Sequence, residues 1–470
     1  MSVMILDLET ENHTYYGALA SPRHPENYVV AKGWAIDQGP VQHLYFNSKE
    51  EAQNWLTIPD DVTLLVCHNA PFEMDWMLVT QYDKISAFLK RGGRVFDTAY
   101  AEYLLTNQQE TYPSLDETAP KYGGTHKVDG IKILWEQGVK TSEIDKTLLI
   151  EYLAGPGGDI ENTRKTFYGQ AALLQERGMW DMALARMEGQ LFNCFAMYSG
   201  LYVNREVAFA QLAEQEQKLS ALTEKFAQFR QHVPEYVGFK DSSDYHMSAW
   251  LFGGPIKYRI QDVWYNEDGT PKYEKDDFYY FEDGTRELVR YFDDGVTDRD
   301  VLLQRAETHV VLHGPVKRAT AGKNKGQPRV FREDTDTPKQ KWYDRVFDCP
   351  ALIPLGALPQ DIQDSFKREF AGKRKLADDS PVFSTGKDCI EMLSKRPEFS
   401  DEIKVMLGSL LEFAKIDKDL GTYYLREVAD EEGNVVKRSG MLQYLTPESI
   451  VYHVLNCTST VTGRLSSNRP

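Results

Sequence analysis

Along the first 180 residues, short apolar runs alternate with stretches in which apolar positions return every three or four residues. Residues 3–8, 28–35 and 62–67 are runs of strand length bounded by polar residues, and they predict buried strands. Helical spacing follows at 72–80, 97–105 and 163–174. Strands alternating with helices predict an α/β layer around a largely buried sheet. From 179 to 230 the pattern turns to long helices, with Leu, Ala and Phe recurring among Glu, Gln and Lys, which predicts a domain boundary near residue 180. Residues 258–350 carry Asp-Gly, Glu-Asp and Gly turns, aromatic β-type pieces such as 278–281, and little helical periodicity; they read as an inserted, loop-rich subdomain. Helical spacing resumes at 361–370 and 402–420. The expected division is 1–178, 179–257, 258–350, 351–440 and 441–470.

Composition narrows this picture. A chain of 470 residues exceeds one hydrophobic core and predicts two or three domains. With 41% hydrophobic and 27% charged residues it has the make-up of a soluble globular protein. No apolar run approaches the roughly 18 to 20 residues of a membrane helix, and the opening MSVMILDLET reads as a first strand, without the basic region of a signal peptide. The five cysteines (Cys67, Cys194, Cys349, Cys389, Cys457) form no CxxC pair, which argues against a disulfide framework or a structural zinc site and predicts a reducing cytoplasm, that of a host cell if the protein is viral. The net charge of −17 disfavours a nucleic-acid surface on average, yet a basic cleft can coexist with an acidic body. Residues 317–341 hold Lys317, Arg318, Lys323, Lys325, Arg329, Arg332, Lys339 and Lys341 against Glu333, Asp334 and Asp336. Such a segment suits contact with phosphates, and equally suits a solvated charged face.

The candidate chemistry lies in three carboxylate segments. Asp7 and Glu9 sit two apart at the end of the first predicted strand and so point to one face. Two carboxylates there repel unless a cation lies between them. His68 and Asn69 follow the third predicted strand, with Glu73 one helical turn after Asn69 and Asp75 two further on. Asp159 opens a helix with Thr163 four residues on, after Tyr152 and a Gly-Pro-Gly-Gly break. Each acid alone also fits a helix cap or a solvated surface; three in this order within an α/β frame point to a metal site. Asp97 and Asp129 read as turn or packing residues.

The order D-x-E, N-x-x-x-(D/E), Y…D-x-x-x-T is similar to the DEDD exonuclease domain of family A DNA polymerases. Asp97-Thr98, residues 101–105, Ser114-Leu115 and Lys121-Tyr122-Gly123 resemble the segment joining motifs two and three there. The resemblance implies a ribonuclease H-like α/β domain, a mixed sheet flanked by helices, that hydrolyses single-stranded DNA from its 3′ end to nucleoside monophosphates. It implies that Asp7, Glu9, Asp159 and a motif-two acid hold two Mg2+ ions, with Mn2+ able to substitute, that Asn69 contacts DNA, and that a tyrosine orients the attacking water. The family usually places Asp where Glu73 stands, so Glu73 and Asp75 both remain candidate ligands. Its tyrosine stands four residues before the third-motif Asp, where this chain has Gly155; Tyr152 is the candidate.

Further on, Met187-Glu188 and residues 200–204 resemble the family's passage from exonuclease to a mainly helical thumb, and the run LFGGPIKY at 251–258 resembles its phage branch. Thr458-Ser459-Thr460-Val461-Thr462-Gly463-Arg464-Leu465-Ser466-Ser467 is similar to the T-x-T-G-R-L-S-S motif at the entry to the palm, which implies that Arg464 contacts the primer end. Lys317, Arg318, Lys323, Lys325 and Arg329 are the candidate phosphate contacts of the thumb insertion. The family's catalytic palm and fingers motifs do not appear before Pro470, so the expected protein is the N-terminal portion of a truncated or split polymerase. It would bind primer-template DNA and need a C-terminal partner to polymerise, and a processivity factor is a further expected partner; no membrane is expected. The competing expectation is a non-catalytic DNA-binding subunit with an impaired exonuclease site.

Overall fold

The computed structural model describes residues 2–126, 130–289, 317–321, 325–326, 329–430 and 432–468. Two compact units divide the chain: Met1–Ala221 together with Phe413–Pro470, and Leu222–Glu412.

The first unit is built on a five-stranded sheet of β1 (Ser2–Thr10), β2 (Val29–Ile36), β3 (Gln42–Tyr45), β4 (Val62–Cys67) and β5 (Arg94–Asp97), in the order β3-β2-β1-β4-β5. β1 pairs antiparallel with β2 and parallel with β4, so the sheet is mixed, as the expected fold class requires. Helices α1 (Pro71–Thr80), α2 (Tyr82–Lys90), α3 (Thr98–Leu105), α4 (Leu115–Thr118), α5 (Gly130–Glu136), α6 (Lys146–Ala154), α7 (Asp159–Glu176) and α8 (Trp180–Ser199) accompany it.

Strand alternation sends β1 side chains into two separate cores. Val3 and Ile5 join Leu64, Val66, Phe96, Leu153, Ile160 and Phe167 on the face covered by α3, α6 and α7. Met4, Leu6 and Leu8 join Leu65, Cys67, Met74, Trp76 and Phe88 on the face covered by α1 and α2. Asp7 and Glu9 continue the row of Val3 and Ile5, so they emerge beside α6 and α7.

The boundary expected near residue 180 is not where the compact unit divides. Ala183, Leu184 and Met187 of α8 belong to the same core as Val3 and Ile5, and Cys194 belongs to the opposite one. The long-helix pattern therefore begins inside the sheet unit, with α8, whose apolar residues pack into both of that sheet's cores. The C-terminal segment returns here as well: Ile450–Val451 pairs with Leu201–Tyr202, and Val454–Asn456 pairs with Ser466–Asn468.

In the second unit, Gly254–Val263 pairs antiparallel with Gln340–Cys349 over ten residues, and Tyr273–Tyr280 pairs with both Arg286–Leu288 and Val330–Pro338. The β character expected for 258–350 is present in its described part; residues 290–316 fall outside the described residues. Helices Gln360–Phe370 and Asp401–Thr422 lie within two residues of their expected bounds.

Candidate functional site

Asp7, Glu9 and Asp159 each offer a carboxylate oxygen, and these atoms lie within 4.8 Å of one another. Three features of the local sequence bring them together. Strand parity aligns Asp7 with Glu9. Gly158 takes the N-cap position of α7 with extended backbone, leaving Asp159 as the first helical residue, where the positive end of the helix dipole favours an anion. The residue opposite Asp7 on β2 is Gly33, and a Cβ there would stand 2.7 Å from Ile160 Cγ1 and 2.9 Å from Leu153 Cγ. Only glycine lets α6 and α7 settle this low over the sheet, and that approach carries Asp159 to Asp7.

The fourth acid is Glu73. It occupies the first turn of α1, fully buried, and its pKa is raised well above the usual carboxylate range, first by burial and then by repulsion from Asp7. Its Oε2 is buried without a hydrogen-bond partner. Asp75 turns elsewhere: it accepts hydrogen bonds of 2.8 and 3.0 Å from Arg23 Nη1. Burial raises its pKa and the Arg23 cation opposes that shift. Residues two apart on a helix are about 200° apart around its axis, so a single helix offers one of this pair to the cluster. The structure brings Glu73, and not Asp75, toward Asp7.

Asn69 stands in the left-handed region at φ 63°, which Asn tolerates better than most residues. Its backbone N–H donates to Asp97 Oδ1 at 2.9 Å, as does that of Ala99, and Gln190 Nε2 donates to Asp97 Oδ2 at 2.7 Å. Buried Asp97 thus caps α3 and fixes the turn before α1, the packing role expected of it; burial raises its pKa. Asp129 lies outside the described residues.

A cavity of about 620 Å³ holds the whole constellation: Asp7, Glu9, Asn69, Glu73, Tyr152 and Asp159 all line it. Tyr152 reaches it from the last turn of α6, its ring packed edge-on against Trp135. Sequence reasoning missed Asn12, Phe72, Tyr112 and Thr458 on the same wall. The Asn-x-x-Phe-Glu spacing placed Phe72 beside Glu73, and Thr458 opens the motif quoted for Arg464 without having been assigned to this cleft, but nothing in the sequence pointed to Tyr112.

Apart from Asn69, the described residues among the predicted DNA contacts do not line this cavity. Arg464 is exposed in the turn joining Val454–Asn456 to Ser466–Asn468 and does not line the cavity. Lys317, Arg318, Lys325 and Arg329 are exposed in the second unit, with Lys317 Nζ 5.9 Å from the Tyr280 ring centre and Arg329 4.5 Å from that of Phe331. Lys323 lies outside the described residues.

The donor set fits a divalent cation. It is all oxygen, its carboxylates repel one another, and the buried Glu73 oxygen has no donor to answer it, which is what a hard cation would relieve.

No known protein family matches the chain as a profile, and no curated protein matches it in sequence. Among solved structures, the chain is similar to the POL domain of Pol1 from M. smegmatis in complex with DNA primer-template and dNTP, at 13% identity and a TM-score of 0.44, over 100% of this chain and 51% of that one. It is also similar to a nuclease in its apo form, at 15% identity and a TM-score of 0.29, and to Brucella melitensis NrnC bound to pGG, at 12% and 0.29; each match covers 40% of this chain and 79% of the other. The chain spans about half the length of the polymerase domain it matches. Among the described residues no helix is long and apolar enough to cross a membrane.

Proposed function

We propose that the first unit is a metal-dependent 3′→5′ exonuclease acting on single-stranded DNA ends and releasing nucleoside monophosphates. The observation that carries this reading is the convergence of Asp7, Glu9 and Asp159 within 4.8 Å, with Glu73 facing Asp7 in one cavity. Asp7, Glu9, Glu73 and Asp159 would hold divalent cations, Mg2+ or Mn2+, which lower the pKa of water and stabilise a leaving alkoxide. The chain's own residues supply placement. Asn69, Phe72 and Tyr112 line the cavity around the carboxylates and would hold the strand end there, and Tyr152, which lines the same cavity, would offer its phenol for orienting water. No side chain of the cluster needs to act as a nucleophile.

The order of these motifs, followed by the T-x-T-G-R-L-S-S-like segment, supports placing the chain as the N-terminal portion of a phage-type family A polymerase in which this activity proofreads. In that reading Arg464 contacts the primer end, and the exposed Lys317, Arg318, Lys325 and Arg329 contact phosphates. The test is degradation of a primer labelled at its 5′ end. Wild type should shorten it stepwise in Mg2+ and not in EDTA, and Asp7→Ala should not shorten it. Equal shortening by wild type and Asp7→Ala sinks the proposal, and DNA binding with no cleavage by wild type would favour a docking subunit instead.

A further inference from the structure

The loop joining β1 to β2 carries two histidines and an acid that the carboxylate cleft does not use. His13, His24 and Glu26 each offer one ligand atom, and these atoms lie within 4.8 Å of one another. His13 stands near the start of the loop, and His24 and Glu26 near its end. The two imidazole rings have centres 4.9 Å apart and planes 17° from parallel. His13 Nε2 lies 3.5 Å from Glu26 Oε2. None of the three lines the carboxylate cleft.

The backbone that presents them is fixed from beneath. Asn27 is 1% exposed, and its side chain ties the two ends of the loop together: Oδ1 accepts the His13 N–H at 3.0 Å, and Nδ2 donates to His13 O and Ser21 O, both at 2.8 Å. His24 N–H donates to Ser21 O and Asn27 N–H donates to His24 O, both at 3.1 Å, so His24 sits in a turn held by the same asparagine. A buried amide whose donors and acceptor are all engaged holds its surroundings in one conformation.

The donor set decides the ligand's chemistry. Two imidazole nitrogens and a carboxylate suit Zn2+ or a similar late first-row divalent ion, whereas Mg2+ prefers oxygen alone. A tetrahedral ion with bonds of about 2.0 to 2.1 Å separates its ligand atoms by about 3.4 Å, close to the 3.5 Å between His13 Nε2 and Glu26 Oε2. His24 Nδ1 accepts the Glu26 N–H at 3.2 Å, so its lone pair faces Glu26, where a cation would replace that hydrogen. Near-parallel imidazoles do not aim both lone pairs at one point, so closure on an ion turns one ring, which half-buried side chains on a loop allow. Neighbouring cations are engaged elsewhere: Arg23 pairs with Asp75 at 2.8 Å, and Lys49 Nζ donates to Pro25 O at 2.6 Å.

We propose that His13, His24 and Glu26 form a Zn2+ site that staples the start of the β1–β2 loop to its end, with water completing the coordination. The stapled loop carries Leu19 and Ala20, which line the carboxylate cleft. Zn2+ therefore holds one wall of that cleft, a structural role that stands whether or not the cleft cleaves DNA.

The test uses metal-free, tag-free full chain carrying Asp7→Ala, to weaken the carboxylate cleft's own hold on metal, titrated with ZnCl2 against a chromophoric chelator. One equivalent should bind. His13→Gln and His24→Gln should each weaken it by more than about a hundredfold, beyond the roughly 10- to 100-fold cost of losing an outer partner of a metal ligand. The Glu26 side chain is 71% exposed, so Glu26→Gln tests the site without a folding cost, and it should weaken binding about tenfold. Co2+ in place of Zn2+ should give the intense visible bands of a four-coordinate ion, absent in both histidine variants. Zn2+ should also slow chymotrypsin cutting after Tyr16 and Leu19, both exposed. Affinity unchanged in Glu26→Gln, or in both histidine variants, overturns the proposal. Binding that the variants abolish, with no slowing of proteolysis, overturns the staple.

Discussion

The carboxylate cleft and the basic, aromatic ribbon of the second unit hold charge in opposite ways. In the cleft, acids from three distant segments are forced together and partly out of water, and burial together with Asp7 raises the cost of ionising Glu73. On the ribbon, charges sit in solvent over neighbouring rings: Arg259 over Trp342, Lys341 over Trp264 and Arg345 over Tyr343, with ring-centre distances of 5.8, 5.3 and 5.4 Å. The cleft stores repulsion that a ligand can relieve. The ribbon stores little, because exposed charges are screened and their pairings contribute tenths of a kcal/mol. Substitutions in the cleft should therefore be strong and cooperative, and those on the ribbon weak and additive.

The largest expected effect is on chemistry. Asp7→Ala should lower Mg2+-dependent cleavage to below about one thousandth of wild type, the upper scale for removing one electrostatic stabiliser; loss of only a few-fold would break the contrast. Next comes Gly33→Val. Its side chain would collide with Ile160 and Leu153, so unfolding in urea should show a loss of about 1 to 3 kcal/mol together with slowed cleavage. Unchanged stability would mean that α7 does not depend on this close approach.

Third, Glu73→Gln and Asp75→Asn should move the melting temperature of metal-free protein in opposite directions. Glu73→Gln removes a buried, repelled carboxyl and should raise it, while Asp75→Asn leaves Arg23 without its anion and should lower it, each by a few degrees. A shift of the same sign in both would remove the distinction between ligand and structural acid.

Fourth, Lys32, on β2 beside Gly33, has its pKa lowered by burial to about 8. Its folded-state pKa lies below the unfolded one, near 10.4, so between about pH 8 and 10 the unfolded chain binds more protons and stability from this residue rises with pH. Lys32→Met should raise stability at pH 7 by about 1 to 2 kcal/mol, and the gain should shrink as pH approaches 10; a gain independent of pH would assign it to packing alone. The smallest effect belongs to the second unit, where Lys317→Ala or Arg329→Ala should reduce the slope of log affinity for single-stranded DNA against log salt by about 0.7 each.

Much of the cleft is legible in the sequence because its cues are local. Strand parity alone puts Asp7 and Glu9 on one face, and the Asn69 to Glu73 spacing puts an acid one turn into a helix at a strand end. Residues 62–67 are a strand with those bounds. The unit boundary is not legible, since the apolar stripe of α8 has the same spacing whether it faces another helix or a sheet.

The sequence by itself determined the identity and order of the acids, the α/β alternation, and the change to β structure near residue 258, where the first strand begins at Gly254. Only the tertiary structure turned Glu73 toward Asp7 and Asp75 toward Arg23, because the rotation of α1 about its axis is set by packing and by the pull of Arg23, which lies about fifty residues earlier. It alone revealed that Gly33 admits Ile160, and that residues 452–458 close a chamber beside the cleft. Contacts between such distant parts of the chain leave no periodic trace in the residues that make them; they follow from how the two faces of the sheet are covered.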